Sequence, residues 1–134
     1  MTKHLEITRA HIETVIRQAR SAYPLEACGL MAGDDNRVRH LYPVENIRRS
    51  PVEYEMDPAE QLRAMIDLEE KGWELIAIYH SHPHGPQVPS ATDVDQAYYP
   101  EAAYVIVSLL DQQPRVRAFN IVAGQVTEIS LHVM

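Results

Sequence analysis

Three short apolar runs, Leu25 to Ala32 (LEACGLMA), Glu74 to Tyr79 (ELIAIY) and Ala103 to Leu110 (AYVIVSLL), restrict this chain more than any other feature of its sequence. Each is too short for a buried helix and has the length and makeup of a strand covered on both faces. A sheet with such strands needs helices packed on it, and two segments supply them. Ile7 to Ser21 carries Ile12, Val15, Ile16 and Ala19 at helical spacing behind Thr8 as a cap, and Tyr23-Pro24 stops it. Asp57-Pro58 places a capping residue before a proline at the first helical position, and a second helix is expected from there to about Lys71, ended by Gly72. Arg37 to Val44 is expected to pair back on the first run across Gly33-Asp34-Asp35-Asn36, and Arg115 to Val122 with Gln125 to Val133 forms a hairpin around Gly124. Val52 to Met56 alternates like a further strand, Ser81 to Pro89 reads as loop because of its prolines and glycine, and Ser90 to Ala97 restarts as a short helix. The fold class is therefore α/β, with one domain over 1–134 built as a mixed, curved sheet flanked by helices.

Charge and cysteine usage remove several functions. The formal net charge is -7, from 12 basic and 19 acidic residues, and no basic stripe suits a phosphate backbone, so nucleic acid is not an expected partner. Met1 to Ala10 lacks an apolar stretch of signal-peptide length and no segment approaches a membrane span, so a cytoplasmic protein without membrane contact is expected. Cys28 is the single cysteine. It excludes an internal disulfide, a four-thiolate zinc site and the Cys-x-x-Cys half-site of a zinc base deaminase. Any metal here must be held by histidine and carboxylate.

Such a set lies just after the most apolar strand, in His80-Ser81-His82-Pro83 followed by Ser90 and Asp93. Side chains alternate along a strand, so His80 and His82 point to one side, with alpha carbons roughly 6.6 to 7 Å apart, if the chain stays extended past Tyr79. Asp93, on the helix that starts at Ser90, is the natural third ligand for an ion that keeps one position for water. Ser90 and Asp93 also have the spacing of a capping box, which needs no metal, and the two readings are compatible. A His-x-His pair at a sheet edge can equally be two polar side chains. Glu26, an acid between Leu25 and Ala27 at the start of an apolar run, is the candidate general base, the alternative being a solvent-facing glutamate at a strand edge. His84 reads as a loop surface residue that could line an entrance. His4, His11, His40 and His132 have no ligand-like spacing, and Cys28 reads as packing.

With these residues in place, the sequence resembles the JAMM, or MPN-plus, metalloprotease family: an upstream glutamate, His-x-His-Pro, then a serine and an aspartate three positions further on. Glu26, His80-Ser81-His82-Pro83, Ser90 and Asp93 match that pattern, and Pro24-Leu25-Glu26-Ala27-Cys28-Gly29 is similar to the glutamate segment of short bacterial members. The resemblance implies the cytidine-deaminase-like architecture of that family, with zinc on His80, His82 and Asp93, Glu26 activating the water, and Ser90 helping to hold the oxyanion. It implies a peptidase or isopeptidase acting at the C-terminal tail of a ubiquitin-like, β-grasp sulfur-carrier protein. A non-catalytic scaffold or interaction domain of the same fold is the alternative, and it predicts lost ligands, of which there are none here.

Overall fold

The computed structural model describes residues 4–134; the first three residues, which the sequence reading includes in the domain, lie outside the described part. Seven strands and three helices follow in the order β1 (His4–Ile7), α1 (Arg9–Ala22), β2 (Cys28–Asp34), β3 (Arg37–Val44), α2 (Pro58–Glu70), β4 (Glu74–His82), α3 (Ala91–Asp95), β5 (Ala103–Ser108), β6 (Arg115–Val122) and β7 (Gln125–Val133). They make one mixed sheet. β2 lies between β3 and β4, antiparallel to both; β4 runs parallel to β5, and β5, β6 and β7 continue antiparallel. β1 pairs in parallel with β7 over four residues and touches β3 at Glu6–Arg37, so the sheet curls until its edges approach each other. Among the described residues no helix is long and apolar enough to cross a membrane.

The helices form for reasons visible in the chain. The Thr8 side chain accepts from the His11 amide and starts α1, whose Val15 and Ala19 are buried. Asp57 accepts from the amides of Ala59 and Glu60 and starts α2 ahead of Pro58. The β2–β3 turn places Asp35 and Asn36 at positive φ, and Ala123 and Gly124 do the same between β6 and β7, as two-residue hairpins require.

Two expectations are corrected. Val52 to Met56 is not a strand: only an isolated bridge joins Met56 to Asn46, and the rest of 47–55 is irregular. Ser81 and His82 belong to β4 rather than to a loop, because β5 runs alongside as far as the pair His82–Ser108 and extends the ladder up to Pro83. β1 is an element the sequence reading did not include.

Two apolar clusters sit on opposite faces of the sheet. One packs Leu5, Ile7, Met31, Ala77, Tyr79 and Val105 against Val15 and Ala19 of α1. The other packs Cys28, Leu30, Ile78, Tyr104 and Ile121 against Met56 and Ala64, the latter on α2. Alternation along β4 sends Ala77 and Tyr79 to the first face and Ile78 to the second, and parity then carries His80 and His82 to the side of Ile78.

Tyr79 also explains a glycine. Its hydroxyl donates to Gln18 Oε1 of α1 at 2.5 Å, and it crosses β2 where Gly29 has no side chain. A Cβ at Gly29 would collide with the Tyr79 phenol and stand 2.6 Å from the Tyr42 carbonyl oxygen. Gly29→Ala is therefore expected to lower stability by about 1–3 kcal/mol through overpacking, read as a lower urea midpoint at unchanged slope.

Candidate metal centre

His80 and His82 leave β4 toward the same point, and α3 brings a carboxylate to meet them. His80 Nε2 lies 3.1 Å from His82 Nε2, Asp93 Oδ2 lies 2.9 Å from His82 Nε2, and the same oxygen lies 3.1 Å from His80 Nε2. All three residues are buried. Tetrahedral donors on bonds of about 2.05 Å stand roughly 3.3 Å apart, so these three need only spread by a few tenths of an ångström to hold one ion. The sequence reading of these three as a converging set agrees with where they lie.

The hydrogen bonds set the protonation of the group. The Pro86 carbonyl can only accept, so His82 Nδ1, 2.8 Å away, carries the proton. A neutral His82 then has only a lone pair at Nε2 to face the Asp93 oxygen. The contact is satisfied either by an imidazolium or by a cation shared between them, and the second suits a carboxylate with two imidazoles around it. Burial holds the His80 imidazole below its ordinary value, against the pull of Asp93. For His82 burial acts the same way, but the contacts to Asp93 and to the Pro86 carbonyl outweigh it and the net direction is upward. Burial would raise Asp93, yet the bonds from His80, His82 and the Ser90 amide hold it far below the usual carboxylate range. An ionised aspartate beside a neutral His80 is a ready donor set for a divalent metal.

Ser90 and Asp93 do form the capping box. The Ser90 side chain accepts from the Asp93 amide at 3.0 Å, and the Ser90 amide donates to Asp93 Oδ2 at 2.8 Å. The oxygen that faces both histidines is thus also fixed by the helix start, so the capping and ligand roles coexist. Ser90 Oγ accepts in this motif, which leaves its hydroxyl proton free to donate elsewhere.

Glu26 lines a cleft of about 210 Å³ together with His82, His84, Gly85, Pro86, Ser90, Pro51 and Val52. It lies before β2 rather than inside it, a correction to its expected place at the head of a strand. The residue is only 3% exposed, and its Oε1 has no hydrogen-bond partner among the described residues. Burial pushes its carboxyl up to about 8; nearby Asp93 and Glu53 add to the rise and His82 opposes it. Ser81, between the two histidines, anchors this segment: its Oγ accepts from the Ala27 amide at 2.8 Å and its own amide donates to the Ala27 carbonyl at 2.9 Å. Ser81 was not among the expected site residues, and its place in β4 opposite the Glu26 segment is a long-range pairing.

Other groups take lesser places. The ring of Tyr54, from the irregular segment after Asn46, stacks on His80 with centroids 4.7 Å apart, a contact the sequence did not announce. His84 sits at the cleft rim, edge-on to Tyr23. Gly85 lies against the His82 ring, where an added Cβ would stand 3.2 Å from His82 Cβ. Cys28 is buried in β2 and its thiol is pushed up to about 12 by burial, so it packs and stays protonated. His4 stacks on His132, and His40 on Trp73, both away from the cleft. A second group of acids, Glu45, Asp57 and Glu60, stands closer to solvent and contains no histidine.

Comparison with known proteins gives the chain a family. Residues 8–122 match the model of the prokaryotic homologs of the JAB domain. The chain is 38% identical over 138 residues to the CysO-cysteine peptidase of Mycobacterium tuberculosis, covering 99% of this chain and 94% of that one. It is 40% identical over 131 residues to a probable TtuB-protein conjugate cleaving protease of Thermus thermophilus, covering 97% and 78%. Among solved structures, a protein from Desulfitobacterium hafniense superimposes with a TM-score of 0.87 at 37% identity, covering 97% of this chain and 92% of the other.

Proposed function

The chain belongs to the family of prokaryotic homologs of the JAB domain and is a hydrolytic enzyme, and on that premise we propose that it is a zinc peptidase that cleaves at the C-terminal tail of a ubiquitin-like sulfur-carrier protein. The relatives named for acting on CysO and on TtuB conjugates support that substrate class. The observation that carries the metal-dependent chemistry is the meeting of His80 Nε2, His82 Nε2 and Asp93 Oδ2 within 3.1 Å of one another, beside a cleft that Glu26 and Ser90 line. His80, His82 and Asp93 would hold the zinc. The same donor types accept iron or manganese, so zinc here rests on the family.

When bound, zinc supplies Lewis acidity, which acidifies a water and polarises the scissile carbonyl. The residues of the chain do the rest. Burial raises the Glu26 carboxyl in the metal-free protein, and a dication on the neighbouring donors would draw it back toward the ionised form. Glu26 then takes a proton from the attacking water and gives it to the departing amine, so one carboxylate serves as base and then as acid. Ser90 donates its free hydroxyl proton to the carbonyl oxygen as charge gathers there, the stage at which a preorganised donor counts most. Burial of Glu26 and the histidines keeps bulk water from competing. The cleft of about 210 Å³, narrowed by Pro51, Val52, Pro86 and Gly85, suits an extended tail with small residues next to the scissile bond. A cytoplasmic setting fits such a substrate.

Incubating the zinc-loaded chain with a β-grasp carrier extended at its C-terminus tests this reading. Release of the extension, seen by intact mass and suppressed by a chelator, is the expected result. An intact carrier under full zinc loading contradicts it. Ser90→Ala is expected to keep the metal, to lose about 1 kcal/mol of stability through the missing cap and to lower kcat about 100- to 1000-fold. Titration of zinc and steady-state kinetics on one preparation check both parts.

A further inference from the structure

We propose that Asn46 is a positioning residue that clamps the segment 47–55, whose Pro51 and Val52 wall the cleft, to the backbone of Glu26, so that the wall and the general base move as one body. Asn46 is 9% exposed and uses all its hydrogen-bonding directions. Its Nδ2 donates to the Glu26 carbonyl at 3.0 Å and to the Glu53 carbonyl at 3.2 Å. Its Oδ1 accepts from the amides of Arg48 and Glu55, both at 3.0 Å. The Glu26 amide in turn donates to the Ser50 carbonyl at 2.9 Å. Both backbone groups of Glu26 are therefore held by 46–50, and none of these bonds belongs to a helix or to a strand ladder.

The consequence reaches the cleft from two directions. Pro51 and Val52 of the clamped segment line it, and Tyr54 of the same segment stacks on the His80 ring. An irregular segment of this length ordinarily fluctuates, and its bonds to water compete with internal ones. A side-chain amide that satisfies two carbonyls and two amides at once replaces the missing ladder. An amide is needed because donors and acceptors are required together: aspartate keeps the two bonds from Arg48 and Glu55 but sets a carboxylate oxygen against the Glu26 and Glu53 carbonyls. The role of Asn46 in turnover rests on the proposed peptidase reading; the clamp itself does not.

The test compares the parent with Asn46→Asp and Asn46→Ala, all as zinc-loaded full chains. Amide hydrogen exchange is followed residue by residue, and kcat and KM are measured on the extended carrier. In Asn46→Asp, exchange at Glu26 is expected to rise at least tenfold while Arg48 and Glu55 stay protected, zinc content stays at the parent value, and kcat falls roughly 100-fold, the scale of a misplaced reacting group. In Asn46→Ala, exchange rises at all three amides and KM rises as well, because the wall is released. Unchanged exchange at Glu26 in Asn46→Asp, or a parental kcat in a variant that only melts earlier, overturns the proposal. If the parent leaves every carrier intact, the peptidase reading fails while the exchange measurements still decide the clamp.

Discussion

Glu26→Gln is expected to keep zinc bound at the parental ratio and to lower kcat about 1000- to 10000-fold, because the amide fills the same space but cannot accept a proton. Buried, without a partner for Oε1 among the described residues, and on the cleft wall, Glu26 has the surroundings of a group kept for a reaction rather than for stability. The same variant carries a second expectation, read on the chelated protein. The carboxyl rises from 4.5 to about 8 on folding, chiefly through burial, so between those values the folded chain holds a proton that the unfolded chain has released. The contribution of this group to the parent's stability then falls as pH rises through that window. Glu26→Gln removes the dependence and should exceed the parent by roughly 1 kcal/mol at pH 5 and roughly 3 kcal/mol at pH 7. Urea melts of both proteins across pH 5 to 8 check it, and parallel curves would show that Glu26 is solvated after all. A variant that loses activity while gaining stability separates a catalytic role from a packing role.

Asp93→Asn is expected to weaken zinc binding more than about 100-fold and to abolish turnover. Asp93 is the anionic member of the three donors, and its Oδ2 is the atom nearest both histidines. An amide oxygen can still accept from the Ser90 amide, so the start of α3 should persist and the loss should appear in the metal rather than in the fold. Competition against a chromophoric zinc chelator gives the affinity, and the melting curve of the chelated variant gives the control. Parental affinity in this variant would remove Asp93 from the ligand set and favour the non-catalytic scaffold reading.

What the sequence made legible was whatever depends on neighbours in the chain. Thr8, Asp57 and Ser90 each cap the helix they precede, and the turns at Asp35-Asn36 and Ala123-Gly124 sit where turn-forming residues interrupt apolar runs. The shared side of His80 and His82 follows from the period of a strand, provided the strand runs on to His82. The missed features depend on partners far away in sequence. β1 has only four residues of mixed polarity and exists because β7 pairs with it in parallel. Ser81 and His82 remain in β4, despite the proline that follows, because β5 continues alongside. Val52 to Met56 alternates in polarity but among the described residues has no neighbouring strand to pair with beyond one bridge, so it stays irregular and Val52 is left to line the cleft beside Pro51. Glu26 was recognisable as an acid in an apolar context, whereas its hold by Asn46, Ser50 and the neighbouring Ala27–Ser81 pair was not.

Diffraction from zinc-loaded crystals on either side of the zinc absorption edge tests the metal centre most directly. The expected anomalous peak is single, about 2.0–2.2 Å from His80 Nε2, His82 Nε2 and Asp93 Oδ2 together. A peak among Glu45, Asp57 and Glu60 instead, or none within bonding distance of the two imidazoles, would contradict it.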